Sequence, residues 1–123
     1  MREEETMTEE LITLYRPTGQ KELDLVEATH WKRWPPRLPE QPIFYPVTNE
    51  AYAIEIAQKW NTQDGGIGYV TKFQVRRSFL SLYDVQQVGG KQHTEYWIPA
   101  EDLERFNDNI VGTIEVLHRF QGE

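Results

Sequence analysis

Two charged residues stand where a strand would otherwise be apolar. Glu95 lies in the run His93, Thr94, Glu95, Tyr96, Trp97, Ile98, whose aromatic and β-branched content reads as a strand. Alternation places Glu95 on one face with His93 and Trp97, and Thr94, Tyr96 and Ile98 on the other. An acid on a strand is ordinarily solvated, because charges are rarely buried unpaired. Trp97 shares its face, however, and a tryptophan needs cover. Arg16 poses the same question. It ends the apolar face Ile12, Leu14, Arg16 of the first strand. A guanidinium there makes either a structural ion pair or a bidentate fork for phosphate oxygens.

Other chemistries lack their residues. There are no cysteines, which excludes disulfides, cysteine-ligated zinc and thiol catalysis. The histidines His30, His93 and His118 lie far apart, so no metal is expected. Ser78 and Ser81 are the only serines, in no recognisable triad setting. No GxGxxG, P-loop or HExxH spacing occurs.

The elements that must position Glu95 and Arg16 follow from periodicity. Leu11, Thr13 and Tyr15 form the second face of the first strand, which Pro17 should stop. A helix over residues 20–28 presents Leu23 and Val26. Residues 30–42 hold Trp31, Trp34, Pro35, Pro36, Pro39 and Pro42, and read as a stiff extended loop with aromatic anchors. After a short strand at 43–47, Thr48 is the expected N-cap of a helix through residue 60, with Ala53, Ile56, Ala57 and Trp60 on one face. Residues 68–75 alternate as a strand, with Tyr69, Thr71, Phe73 and Val75 on one face. Gly89 and Gly90 mark a turn. Pro99, Glu101 and Asp102 open a short helix with Leu103 and Phe106 inward. Ile110, Gly112, Ile114, Val116, His118 and Phe120 share one face of a last strand. Strands outnumber helices and alternate as half-buried strands do, so an α+β fold is expected rather than a doubly wound parallel sheet.

The 123 residues suit one domain, expected over residues 11–121 behind a disordered acidic tail at 1–10. The formal net charge of −7 disfavours a nucleic-acid partner. The opening has no apolar h-region and no apolar run could span a bilayer, so a cytoplasmic protein without a membrane partner is expected.

Three groups of residues carry a resemblance to a small bacterial family labelled "ADP-ribosylation/crystallin J1". They are Leu14, Tyr15, Arg16 and Pro17; Pro35, Pro36 and Arg37 leading to Phe44, Tyr45, Pro46 and Val47; and Gln87, Val88, Gly89 and Gly90 leading to Trp97, Ile98 and Pro99. The likeness spans residues 14–120. True crystallin J1 relatives are larger helical, metal-using glycohydrolases, and this chain is too short and strand-rich to be one. The chain also resembles the ADP-ribosyltransferase fold, a split pair of small bent β-sheets with a few flanking helices. Those enzymes place an arginine or histidine on the first strand, a hydroxyl or aromatic motif on a strand entering a helix, and a glutamate on a later strand. Arg16 matches the first. Phe44, Tyr45, Pro46, Val47 and Thr48 occupy the second, where Thr48 alone resembles the usual Ser-Thr-Ser. Glu95 matches the third, with His93 where Glu or Gln commonly stands.

The resemblance implies an NAD-binding domain that cleaves the nicotinamide–ribose bond and transfers ADP-ribose to a protein acceptor. In that reading Glu95 and His93 are catalytic, and Arg16, Tyr45 and Thr48 bind NAD or an ADP-ribose-like molecule. The alternative from the residues alone is a non-catalytic module that binds a protein through the Trp/Pro-rich loop.

Overall fold

The computed structural model describes residues 10–122. All but one residue of the expected tail, 1–9, lie outside them. The one included, Glu10, accepts from the Arg77 amide and pairs with its guanidinium. The fold is α+β, and every strand pair among the described residues is antiparallel.

The main sheet has the order β1-β3-β7, from β1 (Leu11–Gly19), β3 (Ile67–Arg76) and β7 (Ile110–Gln121). Two small ladders accompany it. One pairs β2 (Ile43–Phe44) with β6 (Ile98–Pro99), the other β4 (Val85–Gln87) with β5 (Thr94–Tyr96). The expected strand over 93–98 is thus divided at Trp97, and its halves serve different ladders. Val47 links β5 to the main sheet, bridging to Tyr15 on one side and to Glu95 on the other.

Pro17 does not end β1; it pairs with Val70 inside the strand. Tyr15, two residues earlier, sends its N–H and C=O away from β3 to Val47, at 2.9 and 2.8 Å. Pro17 has the same outward parity, so its missing donor costs the β1–β3 ladder nothing.

The sheet is covered on both faces. On one, Leu14, Phe73, Val75 and Ile114 meet Trp34, Phe44, Phe79 and Phe106. On the other, Val47 and Val70 meet Ala53 and Ala57, with Tyr15 and Phe120 beside them. Phe44, Phe73 and Phe106 pack edge-on, with Trp34 tilted against Phe44 at 5.6 Å between centroids. Removing one such ring would cost about 3–5 kcal/mol. The single apolar face expected for β7 is broken by register shifts at Val70/Thr71 and Lys72/Gln74. These irregularities let Ile114 reach the first core and Phe120 the second.

Helix α1 is Gln20–Glu27 and buries Leu23 and Val26. Helix α2 is Glu50–Ile56, capped not by Thr48 but by Asn49, whose Oδ1 accepts from the Tyr52 amide at 2.8 Å. Thr48 instead hydrogen-bonds the Thr94 hydroxyl. The expected helix to residue 60 widens into a π turn over Ala57–Asn61. Trp60 is exposed rather than facing the core. Gly68 runs so close beneath this turn that a Cβ would lie 2.6 Å from the Ala57 carbonyl oxygen. Two short helices complete the fold, α3 (Arg77–Leu80) and α4 (Leu103–Asp108). No described helix is long and apolar enough to cross a membrane.

Candidate functional site

Three strand or loop segments and the π turn converge on a cleft of about 300 Å³. Arg16 and Pro17 come from β1, Tyr45 and Val47 from the segment after β2, Glu95 from β5, and Ile56 and Asn61 from α2 and its π turn. Val47 explains the convergence. Because it bridges both Tyr15 and Glu95, β1 and β5 are held one backbone apart and their adjacent side chains share the space.

Glu95 is not a wet surface acid. It is 8% exposed. Trp97 Nε1 donates to its Oε2 at 2.7 Å and the Tyr52 hydroxyl donates to its Oε1 at 3.0 Å. The Trp97 side chain lies beside Glu95, as expected, and itself stays 45% exposed. Each oxygen keeps acceptor capacity, because a carboxylate offers about four lone-pair sites. Burial, together with the hydrogen bond to Glu95 and its charge, pushes the Tyr52 phenol up to about 12.

Arg16 makes the ion pair. Its Nε and Nη2 reach Glu22 Oε1 and Oε2 at 3.1 and 2.9 Å, a two-pronged contact within β1 and α1. Thr18 donates to the same carboxylate, and Arg37 Nη1 lies 3.5 Å from Glu22 Oε2. Burial works to raise the Glu22 pKa. The charge and hydrogen bond of Arg16 oppose it, helped by Thr18 and Arg37, and the balance holds the carboxyl below its ordinary value. The Arg16 guanidinium also lies over the Phe44 ring, 4.6 Å from its centroid. Its Nη1 donates to the Tyr45 carbonyl at 3.4 Å. The Tyr45 side chain remains 42% exposed at the cleft.

His93 and Thr48 do not line the cleft. His93 stacks on the Tyr52 ring with centroids 4.5 Å apart, while the Tyr52 hydroxyl reaches Glu95. Its Nδ1 accepts from the Gly90 amide and its Nε2 lies 3.1 Å from Glu55. Thr48 is spent on the Thr94 carbonyl and hydroxyl. Sequence reasoning missed Tyr52, Glu22 and Asn61. Tyr52 falls outside the Ala53, Ile56, Ala57 spacing and packs, partly buried, at the edge of that core. Glu22 is an acid in the first turn of α1, and nothing near it in sequence announces Arg16 or Arg37 as its partners. Asn61 Oδ1 is buried without a partner at the cleft wall. Among the described residues no cluster of His, Asp or Glu could hold a metal ion.

A longer groove of about 650 Å³ adjoins the cleft and shares Arg16, Pro17 and Asn61 with it. It runs along the start of α1 and under the proline-rich loop, past Lys21 and Arg37. No family model, curated protein or solved structure matches the chain.

Proposed function

We propose that this chain is an NAD-binding, ADP-ribosyltransferase-like domain that cleaves the nicotinamide–ribose bond and passes ADP-ribose to a protein acceptor. The supporting observation is that Arg16, Tyr45 and Glu95, from three separate segments, line one cleft. Breaking that glycosidic bond sends its electron pair to the departing nicotinamide and leaves positive charge on the ribose. Glu95, oriented by Tyr52 and Trp97, supplies the fixed negative charge that favours this state, and can accept from a ribose hydroxyl. The half-exposed Tyr45 ring offers a stacking surface for a flat base. An attacking acceptor nucleophile then forms the new bond and releases its proton.

The alternative, a protein-docking module built on the Trp/Pro-rich loop, has less to stand on. Trp34 is buried between Phe44 and Phe73, and Trp31 packs against the core. Trp31 keeps part of its surface open, in a shallow pocket with Thr113, Ile114 and Val116.

The test is an NAD titration followed by thermal shift, with nicotinamide release measured in parallel. A saturable rise in melting temperature with release supports the reading. A folded protein that neither binds nor consumes NAD overturns it and returns the loop-docking module to first place.

A further inference from the structure

In this acidic chain, one region reverses the sign. The groove beside the cleft is lined by three cations, Arg16, Lys21 and Arg37, against one carboxylate, Glu22. Arg16 is already committed: both prongs of its fork are on Glu22. Glu22 can offset one guanidinium well, and its contact with Arg37 is single and longer, at 3.5 Å. Arg37 is therefore an under-compensated buried charge. Its side chain is 10% exposed, and its Nε is buried with no hydrogen-bond partner. Burial and the neighbouring Arg16 charge lower its pKa, with Glu22 and Tyr45 only partly offsetting them. A buried cation in that state is costly until an anion meets it.

A second feature points the same way. Helix α1 begins at this groove, and its N-cap is Gly19, so no side chain closes the first turn. Gly19, Gln20 and Lys21 all line the groove. An uncapped helix start offers backbone N–H groups and the positive end of a dipole.

We infer that this groove is a phosphate subsite, in which Arg37 and Lys21, with the open first turn of α1, hold the diphosphate of a nucleotide whose remainder lies in the adjoining cleft. Arg16 is then a positioning residue: it fixes Glu22 and leaves Arg37 to meet the ligand. Arg37 stands on the loop of residues 30–42, so that loop contributes a ligand-binding cation rather than tryptophan anchors. The assignment deepens the NAD reading but does not depend on it, because a diphosphate alone should bind.

The probes are inorganic pyrophosphate and NAD, each titrated calorimetrically into the intact protein and into Arg37→Lys and Lys21→Ala, with circular dichroism confirming the fold. Pyrophosphate should bind the parent. Arg37→Lys, which keeps charge but loses the planar donor fork, should weaken it about tenfold. Lys21→Ala should weaken it about threefold, the scale of an exposed ion pair. Should Arg37→Lys fail to fold, the Lys21→Ala result decides. No pyrophosphate binding by the parent, or binding that the folded variants leave unchanged, overturns the subsite. Pyrophosphate binding without NAD binding keeps the subsite and removes the NAD reading. NAD binding untouched by both variants does the reverse.

Discussion

The indole of Trp97 donates to Glu95 from two residues further along the chain, at 2.7 Å, and so orients the acid. Trp97→Phe keeps most of the side chain's bulk and removes the donor. It should cost about 1–2 kcal/mol in urea unfolding, the scale of a lost hydrogen bond to a charged group. Nicotinamide release should fall in the same variant. Unchanged stability would mean that the Tyr52 contact alone holds Glu95.

Glu95→Gln tests the charge. The amide keeps the shape and one acceptor but loses the negative charge opposing a developing cation. Turnover of NAD should drop about a hundredfold, corresponding to about 3 kcal/mol of transition-state stabilisation, with NAD affinity nearly unchanged. Equal turnover in the variant would reduce Glu95 to a structural acid.

Arg16 and Glu22 predict behaviour in acid. The folded protein holds the Glu22 carboxyl below its ordinary value, so below roughly pH 4.3 the unfolded chain takes up its proton first. The stability from this pair is complete above that pH and is lost as pH falls through the lowered folded value. Glu22→Gln should therefore give a flatter stability profile on acidification below about pH 5 in denaturant titrations. Arg16→Ala should cost about 2–3 kcal/mol at neutral pH, since the paired side chains are only 12% and 18% exposed. Matching acid profiles in Glu22→Gln and the parent would contradict the pairing.

Tyr52 predicts behaviour in alkali. Its phenol titrates near 12 when folded, against roughly 10 in the unfolded chain, so its contribution is complete below pH 10 and lost on the way to 12. Tyr83, whose hydroxyl donates to Asp102 at 2.7 Å, is also pushed up to about 12, by burial and that carboxylate, and behaves alike. Ultraviolet titration of the parent should show three phenols ionising late, since burial raises Tyr96 as well, and Tyr52→Phe should show two. Loss of stability between pH 10 and 12 should shrink in the same variant. A parent whose phenols all ionise near pH 10 would refute this.

The residues that sequence could place are those whose position depends on parity. Arg16 and Leu14 share a face because alternation holds wherever a strand is regular, whereas Trp97 reaches Glu95 from the break between β5 and β6. Alternation stopped holding in β7, where register shifts send Ile114 and Phe120 into different cores. Partners across the fold had no local signature. Asn107 clamps the Trp34 backbone from both sides, accepting from its N–H at 2.8 Å and donating to its carbonyl at 2.9 Å. That pair spans most of the chain, and nothing near Asn107 announces it. The tryptophans of the loop turned inward for a similar reason: the proline run sets a stiff path, and the core beneath decides which side of it is buried. Of the loop residues that line the groove, Arg37 is the cation.

Val47 has a mechanical consequence. The wall joining β1 to β5 is a single peptide strand thick, anchored by two hydrogen bonds to Tyr15 and flanked by two more, from Tyr96 to Pro46 and from Thr48 to Thr94, all between 2.8 and 3.0 Å. A tilt of β5 would pass to β1 along this rail and through Tyr52, which joins Glu95 to α2. Amide exchange at Val47 and Tyr15 is the gauge that would read the load on the rail.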